Sequence, residues 1–421
     1  MTSDLDEPTA TEAEDTPSPI RELLALRDFR LYWGAQFLSA LTGGIARFGF
    51  IWMALEISDR PSAPALLGFA VGMPGLIVSL PAGAIADRVD RRLLVVAVSL
   101  GGAVFLAATG ALIFSDLIGL PLAMLMAFGV GSAVSTATPA LQAMVPQLVP
   151  PERLLSAVGL QNMGQSGAQL IGAMVGGGTI TLLGLGPAFS IWAGILLLAG
   201  LLMWLVHLPP YERAQRTEGN IIASILRDIR AGLKYSFAAD PLRSIMTVAL
   251  FMGTGVAAYS ILMPDIGRNQ LGQDAFRTSL LFAILSVGMI TSSLYLASRK
   301  QVPRQGLLFL ITALFFGPGV VVIGLSTSYA VTAAMMLIWG LSGGVMFTTQ
   351  RTLLQTHTEG AMMGRVMALF ALTFNGLLPI SALYVALMRS SFGPGDTLAI
   401  IGPVMLAGTL VIAARSQLRH M

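Results

Sequence analysis

Long uncharged apolar runs alternate with short polar breaks along nearly the whole chain. Twelve can be counted: 31–55, 65–86, 93–114, 117–138, 154–183, 188–206, 244–263, 278–298, 306–326, 329–350, 366–388 and 397–414. Each is about as long as the roughly 20 residues a helix needs to cross the hydrocarbon of a bilayer. Only the first contains a charged residue, Arg47. Backbone N–H and C=O groups find no water inside lipid, so runs of this kind fold as helices. The pattern predicts an all-α membrane protein with twelve transmembrane helices. Gly186-Pro187 reads as the break between the fifth and sixth spans.

The longest polar stretch, 207–243, divides the spans six and six. Within it Ile221, Ile222, Ile225, Leu226 and Ile229 recur at helical spacing, with Arg227, Arg230 and Lys234 among the polar positions. That predicts an amphipathic helix on the inner leaflet, or alternatively one that binds a partner. The expected organisation is an acidic disordered tail over 1–25, a six-helix bundle over 26–208, a linker with its amphipathic helix over 209–242, a second bundle over 243–415 and a tail over 416–421. Matches at a common offset suggest that the halves are repeats. Gln142 and Gln147 return as Gln350 and Gln355 after 208 residues, and Glu56-Ile57 as Asp265-Ile266 after 209.

Composition agrees. Of 421 residues 55% are hydrophobic and only 11% charged, with a mean hydropathy of +0.76; soluble domains carry about 25% charged residues. There is no cysteine and there are three histidines, all near span ends or the tail, so thiolate and histidine metal chemistry is not expected. No nucleophile–base pair is visible either, so no enzyme and no cofactor is predicted. Placing the N-terminus in the cytoplasm puts 20 of the 25 basic residues in inner loops and tails. The positive-inside bias thus selects two cytoplasmic termini. The net charge of +3 then reflects topology and gives no reason to expect nucleic acid. Residues 1–20 hold six acidic residues and no basic start with an apolar core, so they do not read as a signal peptide.

Five charges fall within 87–92, between the second and third spans. Gly83, three residues, Asp87-Arg88, one residue, Asp90 and then Arg91-Arg92 resemble the loop signature of the major facilitator superfamily, which usually has Gly where this chain has Asp90. Leu26-Arg27-Asp28-Phe29-Arg30, Thr138-Pro139-Ala140-Leu141-Gln142, Val145-Pro146-Gln147-Leu148-Val149-Pro150 and Gly364-Arg365-Val366-Met367-Ala368-Leu369 narrow the resemblance to the branch that includes enterobactin and macrolide exporters. The resemblance implies two pseudo-symmetric six-helix bundles with a site between them at mid-membrane. It also implies alternating access, with Gly83, Asp87, Arg88, Arg91 and Arg92 as a gating motif and Asp87 meeting the start of span eleven near Gly364-Arg365. A helix N-terminus favours such a carboxylate; the plainer alternative is a positive-inside anchor.

In span five, Gly159, Ala168, Gly172, Ala173, Gly176 and Gly177 resemble the glycine-rich signature of the antiporter branch. Small residues there let backbones approach closely. The same helix carries Gln161, Gln165 and Gln169 at intervals of four, with Asn162 beside them. Such amides line a wet path or bond neighbouring helices; they do not face lipid. Arg47 lies 17 residues beyond Arg30, about 25 Å along a helix. With Gln36, Ala40 and Gly43 it shares one face. It either points into a cavity, holding an anionic group or pairing with Glu56, or snorkels outward. No carboxylate stands at mid-depth, so Glu56 and then Asp265 are the coupling candidates, or plain interfacial charges. The expected protein is a monomeric exporter of amphipathic small molecules in the inner (cytoplasmic) membrane, in contact with membrane lipids and driven by protons. A lipid or lysolipid translocator on the same fold and a non-transporting scaffold or sensor are the alternatives.

Overall fold

A computed structural model describes residues 19–78, 89–208, 221–238, 240–299, 302–360 and 362–420. Among them all regular structure is helical. A short α1 (Pro19–Ala25) precedes α2 (Arg27–Ile57), α3 (Ala63–Ile77), α4 (Arg91–Phe114), α5 (Leu120–Leu148), α6 (Leu154–Leu183) and α7 (Leu185–Trp204). A connecting helix, α8 (Ile221–Ala238), leads to α9 (Leu242–Asp265), α10 (Ala275–Ala297), α11 (Gln305–Leu325), α12 (Tyr329–Thr356), α13 (Met363–Asn375), α14 (Leu378–Arg389) and α15 (Pro394–Arg415). Ten of these are long and apolar enough to cross a membrane, and the shorter apolar α3 and α14 belong to the second and eleventh spans. The protein is an all-α membrane protein with twelve transmembrane helices in two six-helix sets.

Local chemistry sets the ends. Asp90 caps α4, its side chain accepting from the backbone N–H of Arg92 at 2.8 Å and Leu93 at 3.2 Å. Asp274 caps α10 in the same way through Arg277 N at 2.7 Å. Such caps satisfy N–H groups that the first helical turn leaves without partners. Spans five and six part at Gly184 rather than at Gly186-Pro187. Gly184 ends α6 with φ 83°, a conformation that glycine adopts without steric cost. Span eleven is broken between α13 and α14 at Gly376-Leu377, where Pro379 lies in the first turn of α14.

The buried core falls into parts that follow the two halves. One cluster gathers Ile245, Met252, Phe309, Phe316, Trp339 and Val385; two others gather residues such as Phe50, Leu67, Phe189 and Trp192, and Phe29, Tyr32 and Met144. Equivalent spans are tied alike in each half. Tyr32 Oη donates to Leu141 O at 2.8 Å between spans one and four, and Gln350 Nε2 donates to Ile245 O at 3.3 Å between spans ten and seven. The amphipathic helix α8 packs against α13: Gly232 lies beside Leu369 and Arg365, and the Tyr235 hydroxyl accepts from Glu359 N at 3.1 Å. Ile229 joins the packed core of the second half, so α8 is docked on protein.

Candidate functional site

Between the two halves lies a cavity of about 1050 Å³. It runs from Arg365, at the end of the molecule that carries Arg91, Arg92 and α8 (the basic end), up to Arg47, Phe48 and Tyr259. Its two walls differ in chemistry. The first half supplies Gln36, Gln142, Gln161, Gln165 and Gln169 with Ser39, Ser99, Ser135 and Thr138. The second supplies Val256, Tyr259, Phe282, Leu285, Met289, Leu369 and Leu372, relieved by Ser260 and Ser286 and, at the basic end, by Arg365.

Arg47 lines this cavity and is exposed there. Lower on the same face of α2, Gln36 Nε2 donates to Gln161 O at 3.2 Å, and Gln161 Nε2 donates to Tyr32 Oη at 2.8 Å. Both amides therefore tie spans one and five while lining the cavity. Gln36 Oε1 is buried without a hydrogen-bond partner. Gln165 and Gln169 continue the wall, whereas Asn162, one residue beyond Gln161, is exposed and lies outside the lining.

Close backbone contact holds this wall in place. A Cβ on Gly172 would come within 2.8 Å of Leu41 O and 3.0 Å of Gly44 Cα. Gly176 is looser, with Ile45 Cα at 3.5 Å. Gly177 faces the other half, where a Cβ would collide with Ala275 O and Ser279.

Contacts close the seam at the end opposite the basic one. Phe48 and Phe282 meet edge to face at 6.0 Å, and Phe276 N donates to Thr181 Oγ1 at 3.0 Å. Glu56 Oε1 accepts from Trp52 Nε1 at 2.7 Å and lies 3.9 Å from an Arg268 guanidinium nitrogen of the other half. Arg268 also sits over the Trp52 ring at 5.9 Å. Glu56 thus engages Arg268 and Trp52, not Arg47. Asp265 is 1% exposed and receives Arg389 through Nε at 3.0 Å and through a terminal nitrogen at 2.9 Å. Asn269, in a single π-helical turn after α9, donates to its other oxygen at 2.7 Å.

At the basic end, Gly83, Asp87 and Arg88, and with them the expected meeting of Asp87 with Gly364-Arg365, lie outside the described residues. Arg91 donates to Ala143 O at 2.9 Å. Arg92 donates to Val206 O at 2.9 Å and stands over the Trp204 ring at 5.2 Å. Both contacts stay within the first half and brace span three against spans four and six. Asp28 accepts from His207 N at 3.0 Å, fixing the start of span one to the end of span six.

Sequence reading missed the second-half wall, because Tyr259, Phe282, Leu285 and Met289 are ordinary apolar span residues until the fold sets them opposite the glutamines. The polar member Gln142 carried a usable signal, since it was already marked by its repeat at Gln350.

A family model described as Major Facilitator Superfamily matches residues 32–383. Among curated relatives, macrolide efflux protein A of Streptococcus pyogenes is 23% identical over 93% of this chain and 97% of its own length. The enterobactin exporter EntS of Escherichia coli K12 is 24% identical over 93% of this chain and 92% of its own. The staphyloferrin A transporter of Staphylococcus aureus is 21% identical over 91% and 94% respectively. Among solved structures, a bacterial homologue of the human lysosomal transporter Spinster, inward-facing and unoccupied, superposes with a TM-score of 0.65 at 16% identity, covering 93% of this chain and 96% of that one. A POT family transporter in complex with 5-aminolevulinic acid gives 0.67 at 16% identity, covering 92% and 96%. Both structures show likeness of fold.

Proposed function

Because the chain belongs to the major facilitator superfamily, and so is a multi-pass membrane transport protein and not an enzyme, we propose that it exports amphipathic small molecules across the cytoplasmic membrane by proton antiport through alternating access. The observation that carries this reading is a large cavity between the halves, which reaches the basic end and is closed at the other. The positive-inside rule puts the basic end and both termini in the cytoplasm. The cavity then takes its cargo from inside the cell, as an exporter requires, and the similarity to efflux proteins and siderophore transporters supports that direction.

In the proposed cycle the closed seam at Glu56–Arg268 opens outward while the basic end closes. Gly83, Asp87, Arg88, Arg91 and Arg92 act at the closing basic end, and Gly172, Gly176 and Gly177 let span five shift against its neighbours. Glu56 is the first coupling group. Its ion pair across the seam requires a charged carboxylate, so a proton taken up from outside, once the halves part, keeps the pair from reforming until it is released. Asp265, already bound by an arginine of its own half, is the second. The transporter works as a monomer surrounded by lipid.

The test begins with an untargeted comparison of compounds retained by cells with and without the protein. A retained compound is then presented to the purified protein in vesicles with an imposed pH gradient. The wild type is expected to concentrate it, while Glu56→Gln should lose that ability and keep downhill exchange. Failure of the wild type to move any retained compound overturns the export reading. A Glu56→Gln protein that still concentrates substrate removes Glu56 from the coupling.

A further inference from the structure

We propose that the cavity is built for amphipathic organic anions, with Arg47 as the group that takes the anionic head. The inference rests on the transport reading of this cavity and adds the chemical class of what enters it. Arg47 stands at the upper limit of the cavity and is exposed to it. Among the described residues nothing engages its guanidinium: no carboxylate, no carbonyl and no aromatic ring. The contrast with its neighbours is sharp. Arg268 has Glu56 and Trp52, and Arg389 has Asp265. A cation kept at depth without a counter-charge is costly, and such residues persist where they serve a ligand or an ion path.

Snorkelling does not account for it. The end of α2 at Ile57 is ten residues further on, about 15 Å along the helix, and the side chain turns inward to the cavity instead. The rest of the lining points the same way. Its only charged residues are Arg47 and Arg365, and no aspartate or glutamate contributes to it among the described residues. An organic cation would meet the unpaired charge of Arg47, and an anion would compensate it.

The opposite wall specifies the rest of the ligand. Tyr259, Phe282, Leu285, Met289 and Leu372 offer an apolar surface facing the arginine and glutamine side, so a ligand gains by carrying a hydrophobic body behind its charged head. At about 1050 Å³ the space is at the upper end for small-molecule sites. The planar fork of Arg47 suits a carboxylate, sulfonate or phenolate, which it can grip with two parallel hydrogen bonds.

The experiment uses three fluorescent amphiphiles of one shape, pyrenebutanoate, pyrenebutanol and pyrenebutylammonium, with the full chain in nanodiscs of zwitterionic lipid. Binding is read by energy transfer from tryptophan, with empty discs as the blank. The anion is expected to bind about ten- to a hundredfold more tightly than the cation, the range set by a hydrogen bond to a charged group. Arg47→Gln should abolish that ratio, Arg47→Lys should keep most of it, and pyrenebutanol should bind all three proteins alike, which also shows that the variants are folded. A wild type that prefers the cation, or an Arg47→Gln protein with the ratio intact, overturns the proposal. Should Arg47→Gln not fold, the order of the three affinities in the wild type decides. Flux of the same probes in vesicles separates the two readings. Transport without anion preference sinks this inference and spares the exporter, and an Arg47-dependent preference without flux of any probe does the reverse.

Discussion

At the scale of single residues, the two carboxylates at the closed end differ in a way the sequence does not reveal. Glu56 and Asp265 stand at equivalent offsets and look alike as span-end acids. In the fold, Glu56 keeps a side chain 36% exposed and reaches Arg268 at 3.9 Å, whereas Asp265 is buried against an Arg389 side chain that is itself 12% exposed. An exposed pair contributes about 0–1 kcal/mol. Breaking a buried pair by removing one partner costs about 3–5 kcal/mol, because the other charge is left uncompensated. We therefore expect Asp265→Asn to lower stability by about 3 kcal/mol in denaturant unfolding of the detergent-solubilised protein, and Glu56→Gln by less than about 1 kcal/mol. Asp265→Leu combined with Arg389→Met should recover most of the loss. Equal effects of the two single changes would mean that burial does not separate them. Arg47 was legible from sequence because charge inside an apolar run is conspicuous. Arg389 was not, since its partner lies 124 residues away.

Whole elements were the most legible level, since apolar length alone located the spans. What hydropathy could not resolve were breaks made by backbone geometry: Gly376-Leu377 interrupts an apolar run without a change of polarity, and Gly184 works through its φ. The glycines of span five were read as a common face, yet packing ranks them. Gly172 meets the backbone of span one, Gly177 meets span eight across the seam, and Gly176 has room. Overpacking a tight site costs about 1–3 kcal/mol. Gly172→Leu is accordingly expected to destabilise the first half by about that amount, seen as an earlier unfolding midpoint. Gly177→Leu should instead wedge the closed end, with little loss of stability but reduced labelling of the cavity from the basic side. Gly176→Ala should change neither measurement beyond about 0.5 kcal/mol, because its Cβ sits at ordinary contact distance. If Gly176→Ala were as damaging as Gly172→Leu, the packing order would be wrong.

On the scale of the whole molecule, the proposed cycle depends on which end of one seam is shut. The sequence could announce a duplicated twelve-span chain and a charged loop, but not a cavity, because its walls come from spans far apart in sequence and half of it is plain apolar surface. Rocking about a central site predicts that a bond across the closed end should freeze the cycle while leaving the cavity open to the basic side. The chain has no cysteine, so a pair can be introduced without background. Glu56→Cys with Arg268→Cys, joined through two disulfides by a short bis-methanethiosulfonate, replaces a weak ionic contact with a covalent one. We expect downhill exchange, which loss of Glu56 spares, to fall to background on cross-linking and to return on reduction, because in the proposed cycle the seam must part for cargo to leave. Ligand binding from the basic side should survive, since the cavity between Arg365 and Arg47 does not depend on the seam opening. The single cysteine variants, treated identically, should transport as before treatment. Undiminished downhill exchange by a fully cross-linked protein would mean that this end does not open, and that the path out of the cavity lies between other helices.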